Sequence, residues 1–221
     1  MSGFVLACEA WYCLPEPGAR VDAMSQMGTT VCEPGTAPSW VRAVGAITGV
    51  VGFALLTAGA AQVRVYLPTT PVPMTLQTAA VLSAGVVLGP RLGLASMALY
   101  LLLGMVGVPV YADGGSGLSV AFGATGGYLL GFVLAQPIVG ALALGRCGRP
   151  RRFWRVVLAV LAGQGVMYLL GLVWLGVSLG LGPIETIEEG LIPFLPGAVL
   201  KALLAAELGR SGARAAGRVL R

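Results

Sequence analysis

The sequence predicts an all-α integral membrane protein with six transmembrane helices and a disordered N-terminal tail. Three observations lead to this fold class. Hydrophobic residues make up 57% of the 221 residues, charged residues make up 10%, and the mean hydropathy is +0.86. This composition is too apolar for a soluble domain of the same size. Long stretches also carry no charge at all, and most of the arginines lie in two clusters beside those stretches.

Residues 1–40 differ from the rest of the chain. They contain four prolines, several acidic residues and no apolar run long enough for the core of a signal peptide. We expect a disordered cytoplasmic tail, with Met24 or Met27 as an alternative start. Disulfides are not expected on the reducing side of the membrane, and the cysteine spacing fits no zinc site. The four cysteines are Cys8, Cys13, Cys32 and Cys147.

Six apolar segments follow within residues 41–209, the predicted membrane domain. Three of them carry no charge and reach the roughly 20 residues that a spanning helix needs. Two shorter segments are separated by the turn signal Gly89-Pro90-Arg91. The predicted spans are 43–63, 74–88, 92–108, 114–145, 156–184 and 191–208.

Arginine placement predicts the orientation in the cell membrane. Five arginines lie in the connection after the fourth span, and four follow the last span in the basic tail 210–221. Such loops stay in the cytoplasm, so both termini are predicted to be cytoplasmic. The net charge of +5 then reflects topology and contact with anionic lipid, and nucleic acid is not an expected partner. The arginines concerned are Arg146, Arg149, Arg151, Arg152, Arg155, Arg210, Arg214, Arg218 and Arg221.

The residue types that are missing exclude most chemistry. The chain has no histidine, and its predicted spans contain no acidic residue except Glu207 at the end of the last one. Neither an acid–base site nor a metal site can be assembled convincingly from what remains. A P-loop needs a lysine directly after its glycines, and no such motif occurs. We therefore expect no enzyme and no cofactor, and any ATP hydrolysis must come from another chain.

Lys201 is the only lysine, and it lies within the otherwise apolar segment 191–206. An ammonium group is costly in such surroundings and is usually met by a polar or anionic group. The alternative is that its stem reaches a membrane surface. Pro193 and Glu207 are about 12 and 9 Å away along a helix, which is a long reach for that stem. A functional role for Lys201 is therefore favoured.

Two polar regions are predicted to lie near the outer face with Lys201. One is the proline-rich segment 67–78, and the other is the glycine-rich region 108–132. Each has a plainer interpretation, as a connecting loop with a capping threonine or as helix packing through small residues. A pocket explains the whole set better. Its candidate residues are Thr75, Gln77, Tyr111, Ser116, Thr125, Gly126, Tyr128 and Lys201.

Four further stretches are distinctive, namely PVPMTLQT at 71–78, GPRLG at 89–93, LLLGMVGVPV at 101–110 and TGGYLLGF at 125–132. In this order they strongly resemble the BioY family, the biotin-binding S components of energy-coupling factor (ECF) transporters. With a weaker match from PFLPG at 193–197 to Lys201, the resemblance covers residues 42–208. The family implies an S-component-like bundle of six helices that binds biotin from outside. It also implies a transmembrane coupling subunit and two cytoplasmic ATPases as partners.

The resemblance also implies roles for the candidate residues. Lys201 would pair with the biotin carboxylate or donate to the ureido oxygen, and two tyrosines would cover the apolar part of the ligand. Two positions depart from the family. Ala124 replaces a proline, and Ala198 replaces an aspartate that normally precedes the lysine by three residues. The alternatives are an S component for another small vitamin and a membrane receptor that transports nothing.

Ala54 and Ala58 are the candidate contacts with the coupling subunit. They belong to a run of small residues in the first span, which makes one helix face flat enough for close helix contact. Packing against the protein's own helices is an equally good interpretation of the pattern. The family resemblance favours the interface.

Overall fold

The computed structural model describes residues 38–65, 74–145 and 148–216, and most of these are helical. Two short 3-10 turns, at Ala112–Gly114 and Ile192–Phe194, lie between the helices. Residues 1–37 of the predicted N-terminal tail, Cys147 and most of segment 67–78 lie outside the described residues, whereas Ser39 and Trp40 already belong to the first helix. The helices are α1 (Ser39–Gln62), α2 (Gln77–Val106), α3 (Leu118–Ala121), α4 (Gly126–Ala143), α5 (Phe153–Leu179), α6 (Pro183–Gly190) and α7 (Leu195–Ala216).

Two short strands form an antiparallel pair between α1 and α2. The strands are β1 (Arg64–Val65) and β2 (Met74–Thr75), and Arg64 lies opposite Thr75. The pair fixes the chain that enters α2 to the end of α1. Sequence reasoning predicted an extended segment here but no strand pairing.

Four of the described helices are long and apolar enough to cross a membrane, namely α1, α2, α4 and α5. A fifth candidate consists of two helical pieces, 183–194 and 197–216, which meet at an angle of 51°. The chain is therefore a helical membrane protein, as predicted. The predicted second and third spans, 74–88 and 92–108, both fall largely within α2.

Helix α2 folds back on itself at Gly89. In a straight helix Gln77 and Tyr100 would be about 34 Å apart, yet their side chains are hydrogen-bonded at 2.7 Å. A Cβ placed on Gly93 would likewise lie 3.4 Å from the Cα of Gly85, two residues that a straight helix separates by about 12 Å. The two arms, 77–88 and 90–106, are therefore antiparallel and correspond to the second and third predicted spans.

Glycines make this reversal and its close packing feasible. Gly89 has φ 80° and ψ −175°, a conformation that is essentially restricted to glycine, and Pro90 then begins the second arm without an amide proton. Gly140 of α4 packs directly on this turn. A Cβ at Gly140 would lie 2.3 Å from the Pro90 nitrogen, so only glycine fits there.

A buried glutamine ties α4 to the first arm of α2. Gln136 is fully buried, and its amide nitrogen donates to the carbonyl oxygens of Val81 at 3.1 Å and of Phe132 at 2.9 Å. The first arm is buried at almost every position. It is therefore surrounded by protein, while α1 lies outside it.

Helix α1 packs on the bundle through one narrow face, whose buried residues are Ala54, Thr57 and Ala61. Ala54 is only 1% exposed. This burial favours internal packing for Ala54, and its interface role stays a prediction. Ala58 is partly buried against the core, and its interface role stays a prediction. The exposed face of α1 contains Val44, Ile47, Val51, Leu55 and Leu56.

Two predicted spans begin later than the charge pattern indicated. The fourth run starts at residue 114, but α4 starts at Gly126. Gly114 and Gly117 have positive φ values of 64° and 88°, and the single helical turn α3 follows them before α4 begins. The sixth run starts at residue 191, whereas α7 starts at Leu195. Absence of charge does not distinguish a helix from an apolar loop.

Gly140→Ala is expected to destabilise the fold, because the added methyl group must separate α4 from the turn at Gly89. Overpacking of this kind costs about 1–3 kcal/mol. Gly165→Ala on α5 is the matched control, since a Cβ there meets nothing within 4 Å and alanine favours a helix by about 0.5–1 kcal/mol. Thermal unfolding in detergent compares the two. Equal midpoints for the two variants would contradict the close packing.

Candidate functional site

A cavity of about 230 Å³ lies where β2 and the first turns of α2 and α4 meet α5, α7 and the loop after α2. Its size is close to the lower end for small-molecule sites, and its mixture of apolar and polar side chains is typical of them. The lining residues are Thr75, Gln77, Thr78, Tyr111, Ala112, Asp113, Val120, Thr125, Tyr128, Leu129, Phe132, Tyr168, Phe194 and Lys201.

Lys201 reaches the cavity from the second turn of α7. Its Nζ donates a hydrogen bond to the backbone carbonyl oxygen of Thr75 at 2.6 Å, and the side chain is half-buried. Within the described residues no acidic side chain forms an ion pair with it. Ala198, one turn earlier, is buried and offers no carboxylate. The ammonium therefore has one neutral partner and retains hydrogen atoms for further bonds.

A chain of hydrogen bonds fixes Gln77 at the start of α2. The Thr75 hydroxyl donates to Gln77 Oε1 at 3.4 Å, and Gln77 Nε2 donates to the Tyr100 hydroxyl at 2.7 Å. Tyr100 in turn donates to the Val110 carbonyl at 3.1 Å. The network joins both arms of α2 to the loop after them, so the polar wall of the cavity is held in place.

Tyr111 forms a second wall, and glycine at position 104 makes room for it. A Cβ on Gly104 would lie 2.1 Å from the Tyr111 ring. The Tyr111 hydroxyl donates to the Leu101 carbonyl at 2.7 Å, and Gln62 of α1 donates to the Tyr111 carbonyl at 3.0 Å. Burial raises the pKa of the Tyr111 phenol, so the hydroxyl stays protonated. The ring is presented to the cavity while its hydroxyl is engaged elsewhere.

Tyr128 is anchored in a similar way on the opposite side. Its hydroxyl donates to the Gly190 carbonyl at 2.9 Å, and its ring packs where a Cβ on Gly171 would be only 2.3 Å away. Leu129, Phe132 and Phe194 extend this apolar surface.

Two threonines bring hydroxyl groups that the fold does not use. Thr125 occupies the N-cap position of α4, as expected, but its side chain forms no capping hydrogen bond. The Thr78 hydroxyl is buried and has no partner among the described residues. Buried hydroxyls are normally hydrogen-bonded, so Thr78 is a candidate for a ligand contact. Thr125 is a second candidate, because it is only partly buried and lines the cavity.

Asp113 lies at the rim of the cavity. Its Oδ1 is 2.6 Å from Nη2 of Arg64, and its φ of 65° is the only positive value at a described non-glycine residue. The ion pair connects the end of α1 with the loop that follows α2. This carboxylate was not predicted to be part of the site.

The structure brings six of the eight predicted site residues into one cavity, namely Thr75, Gln77, Tyr111, Thr125, Tyr128 and Lys201. Ser116 and Gly126 are not among its lining residues. Gly126 instead packs closely on Trp174 and the Ala121 carbonyl. Their ligand contacts stay predictions.

Sequence reasoning missed eight lining residues. Thr78, Ala112 and Asp113 lie next to predicted positions, and Leu129 and Phe132 follow Tyr128 at helical spacing, so proximity was a usable signal. Val120 and Phe194 lie within the region 108–132 and the PFLPG stretch, but nothing there distinguished them from their neighbours. Tyr168 carried no signal, because it lies in a long apolar stretch. No group of three potential metal ligands occurs among the described residues.

Comparison with known families identifies the chain. The model of the BioY family matches residues 30–218, which includes every helix described above. The chain belongs to the BioY family. This is a family of transport components without enzymatic activity, so the prediction that the chain is not an enzyme is confirmed.

Three relatives are similar over most of their own length. A probable biotin transporter BioY from Pyrococcus horikoshii is 39% identical over 153 residues, which cover 69% of this chain and 86% of that protein. The biotin transporter BioY from Thermotoga maritima is 35% identical over 153 residues, with the same shares. Biotin transporter BioY2 from Lactococcus lactis is 31% identical over 175 residues, covering 76% of this chain and 93% of that protein.

A solved structure has the same fold. It is the S component for biotin from an ECF-type ABC transporter, with a TM-score of 0.71 and 22% sequence identity. The match covers 79% of this chain and 94% of the other. The S-component-like bundle predicted from the sequence is therefore confirmed as the fold.

Gly104→Ala is expected to disrupt this site through Tyr111. The new methyl group would overlap the phenol ring, so the ring must move and its bond to the Leu101 carbonyl is lost. We expect a loss of stability of about 1–3 kcal/mol. Gly52→Ala on α1 serves as the control, since a Cβ there meets nothing within 4 Å. Chemical denaturation of both variants measures the difference, and a Gly104→Ala protein as stable as the control would contradict this packing.

Proposed function

We propose that the protein is the membrane-embedded, high-affinity biotin-binding subunit of an ECF transporter and mediates biotin uptake. The observation that carries the proposal is the cavity described above, which combines one cation, several hydroxyl and amide groups and an aromatic surface in a member of the BioY family. Biotin has a matching set of groups. It carries a carboxylate, a ureido group with donors and acceptors, and an apolar bicyclic ring.

Lys201 is the group that recognises the carboxylate in this proposal. Its only described partner is a neutral carbonyl, and Ala198 supplies no neutralising acid. A cation in such surroundings gains most from an anion, and a carboxylate can accept the ammonium's remaining hydrogens. If the ammonium bound the ureido oxygen of biotin instead, its positive charge would remain unbalanced.

The other candidate residues contact the rest of the ligand or support the cavity wall. Tyr111 and Tyr128 provide ring surface for the bicyclic part, because their hydroxyls are already bound to the protein. Thr125 and Thr78 offer hydroxyls to polar atoms of the ligand. Gln77 orders the wall on which Lys201 rests through its bonds to Thr75 and Tyr100.

Transport requires energy that this chain does not supply. Its only lysine lies on α7 facing the cavity, so no P-loop exists. We propose a transmembrane coupling subunit and two cytoplasmic ATPases as partners. The exposed apolar face of α1, together with the lipid-facing sides of other helices, offers a contact surface for the coupling subunit.

Six membrane spans are proposed, with both termini in the cytoplasm. They are α1, the two arms of α2, α4, α5 and the bent α6–α7 unit. The first arm of α2 would be only about 18 Å long, short of the roughly 30 Å hydrocarbon core. Because protein buries this arm on nearly all sides, it does not have to match the lipid by itself.

Binding of radiolabelled biotin to the purified protein tests the function, with thiamine and riboflavin as competitors. Of the unlabelled vitamins, only biotin should displace the radiolabelled biotin when it is added in stoichiometric amounts. Displacement by another vitamin would identify an S component for that vitamin, and absence of any binding would favour a receptor with a different ligand.

Cysteine labelling tests the topology. Cysteines introduced at Thr69, Gly115 and Glu188 should react with an impermeant maleimide in intact cells, whereas native Cys147 should react only after the cells are opened. The reverse pattern would contradict the orientation.

Lys201→Met is expected to weaken biotin binding by about 10-fold to 100-fold, the loss of one charge-assisted hydrogen bond. Methionine keeps the length and the apolar stem, so the protein should fold and insert normally. Biotinol, which has an alcohol in place of the carboxylate, is the matched ligand. The variant should bind biotin and biotinol with similar affinity, whereas the native protein should prefer biotin.

An unchanged biotin affinity in Lys201→Met would show that the lysine does not contact the ligand. An equal loss for biotin and biotinol would place it at the ureido end instead. Isothermal titration calorimetry in detergent distinguishes these outcomes.

A further inference from the structure

Helix α5 contributes a single side chain, that of Tyr168, to the lining of the cavity. No sequence pattern distinguishes it, and none of the roles described so far uses it. Unlike Tyr111 and Tyr128, it donates its proton to no described backbone carbonyl. Its hydroxyl is therefore available to the cavity in a way that theirs are not.

Gln164 lies one helical turn before Tyr168 and contacts that hydroxyl. Its Nε2 donates to Tyr168 Oη at 3.2 Å, and the residue is only 4% exposed. Its other polar atom, Oε1, is buried without a hydrogen-bond partner among the described residues. Burying an amide in an apolar helix bundle is unfavourable when its oxygen accepts no hydrogen bond. Packing alone therefore does not explain a glutamine at this position.

The pair can present two different faces to a ligand. When Gln164 donates to Tyr168, the phenol proton is free to bind an acceptor in the cavity. When the amide is rotated by 180°, the phenol donates to Gln164 Oε1 and its lone pair is free to bind a donor. Tyr168 keeps its bond to Gln164 in both arrangements.

We propose that Tyr168, supported by Gln164, is the subsite for an uncharged ligand group that carries both a hydrogen-bond donor and an acceptor. In a biotin-binding protein this group is the ureido ring, so the inference rests on the proposed function. The carboxylate then lies at Lys201, because placing it at the neutral phenol would leave the ammonium without an anion. Tyr168 and Lys201 together set the direction in which the ligand lies.

The test compares biotin with thiobiotin, in which sulfur, a weaker acceptor, replaces the ureido oxygen. Tyr168→Phe should bind biotin about 3-fold to 10-fold more weakly, the loss of one neutral hydrogen bond. Its affinity for thiobiotin should change much less, so the preference for biotin over thiobiotin should shrink. The preference for biotin over biotinol should stay as in the native protein, since Lys201 is untouched. Gln164→Met should change the thiobiotin preference in the same direction.

Tyr128→Phe is the matched control, because it removes a cavity hydroxyl that is already bound to Gly190. It should lower the unfolding temperature and change the affinities for biotin and thiobiotin by the same factor. The subsite is overturned if Tyr168→Phe binds biotin normally, or weakens both ligands equally as the control does. Failure of the native protein to bind biotin at all would instead overturn the proposed function.

Discussion

The hydrogen bond between Lys201 Nζ and the Thr75 carbonyl is the interaction on which the site depends. It connects α7, near the end of the chain, with the strand that leads into α2. Thr75 in turn bonds to Gln77 and, through it, to Tyr100. The charge that is most costly in a membrane domain is thus attached to the network that shapes the cavity. The neutral carbonyl stabilises the ammonium only in part, and an anionic ligand would also balance its charge.

Close backbone approach is the second requirement of this architecture. Helices in lipid gain little from burying apolar side chains against one another, so small residues and hydrogen bonds decide how they pack. Gly140 admits the turn at Gly89, Gly104 admits the Tyr111 ring and Gly171 admits the Tyr128 ring. These contacts allow the short first arm of α2 to be enclosed by protein and leave the aromatic rings fixed around the cavity.

Much of the fold could be predicted from the sequence, because charge-free length and the Gly89-Pro90 turn are direct consequences of the membrane and of backbone chemistry. The cavity was predictable in part, since Lys201 is unusual and most of its neighbours lie in polar stretches. Tyr168 was not predictable, because an aromatic residue in a long apolar helix has no distinguishing pattern. The buried position of Ala54 was missed because small residues serve internal and external helix contacts equally well.

In the proposed arrangement one cavity holds biotin between a cation on α7 and a neutral pair on α5. A structure of the purified protein with biotin bound tests it most directly. We expect biotin within the cavity, with its carboxylate in hydrogen-bonding distance of Lys201 Nζ and its ureido group at Tyr168 Oη. Biotin bound elsewhere, or with its carboxylate remote from Lys201, would contradict it.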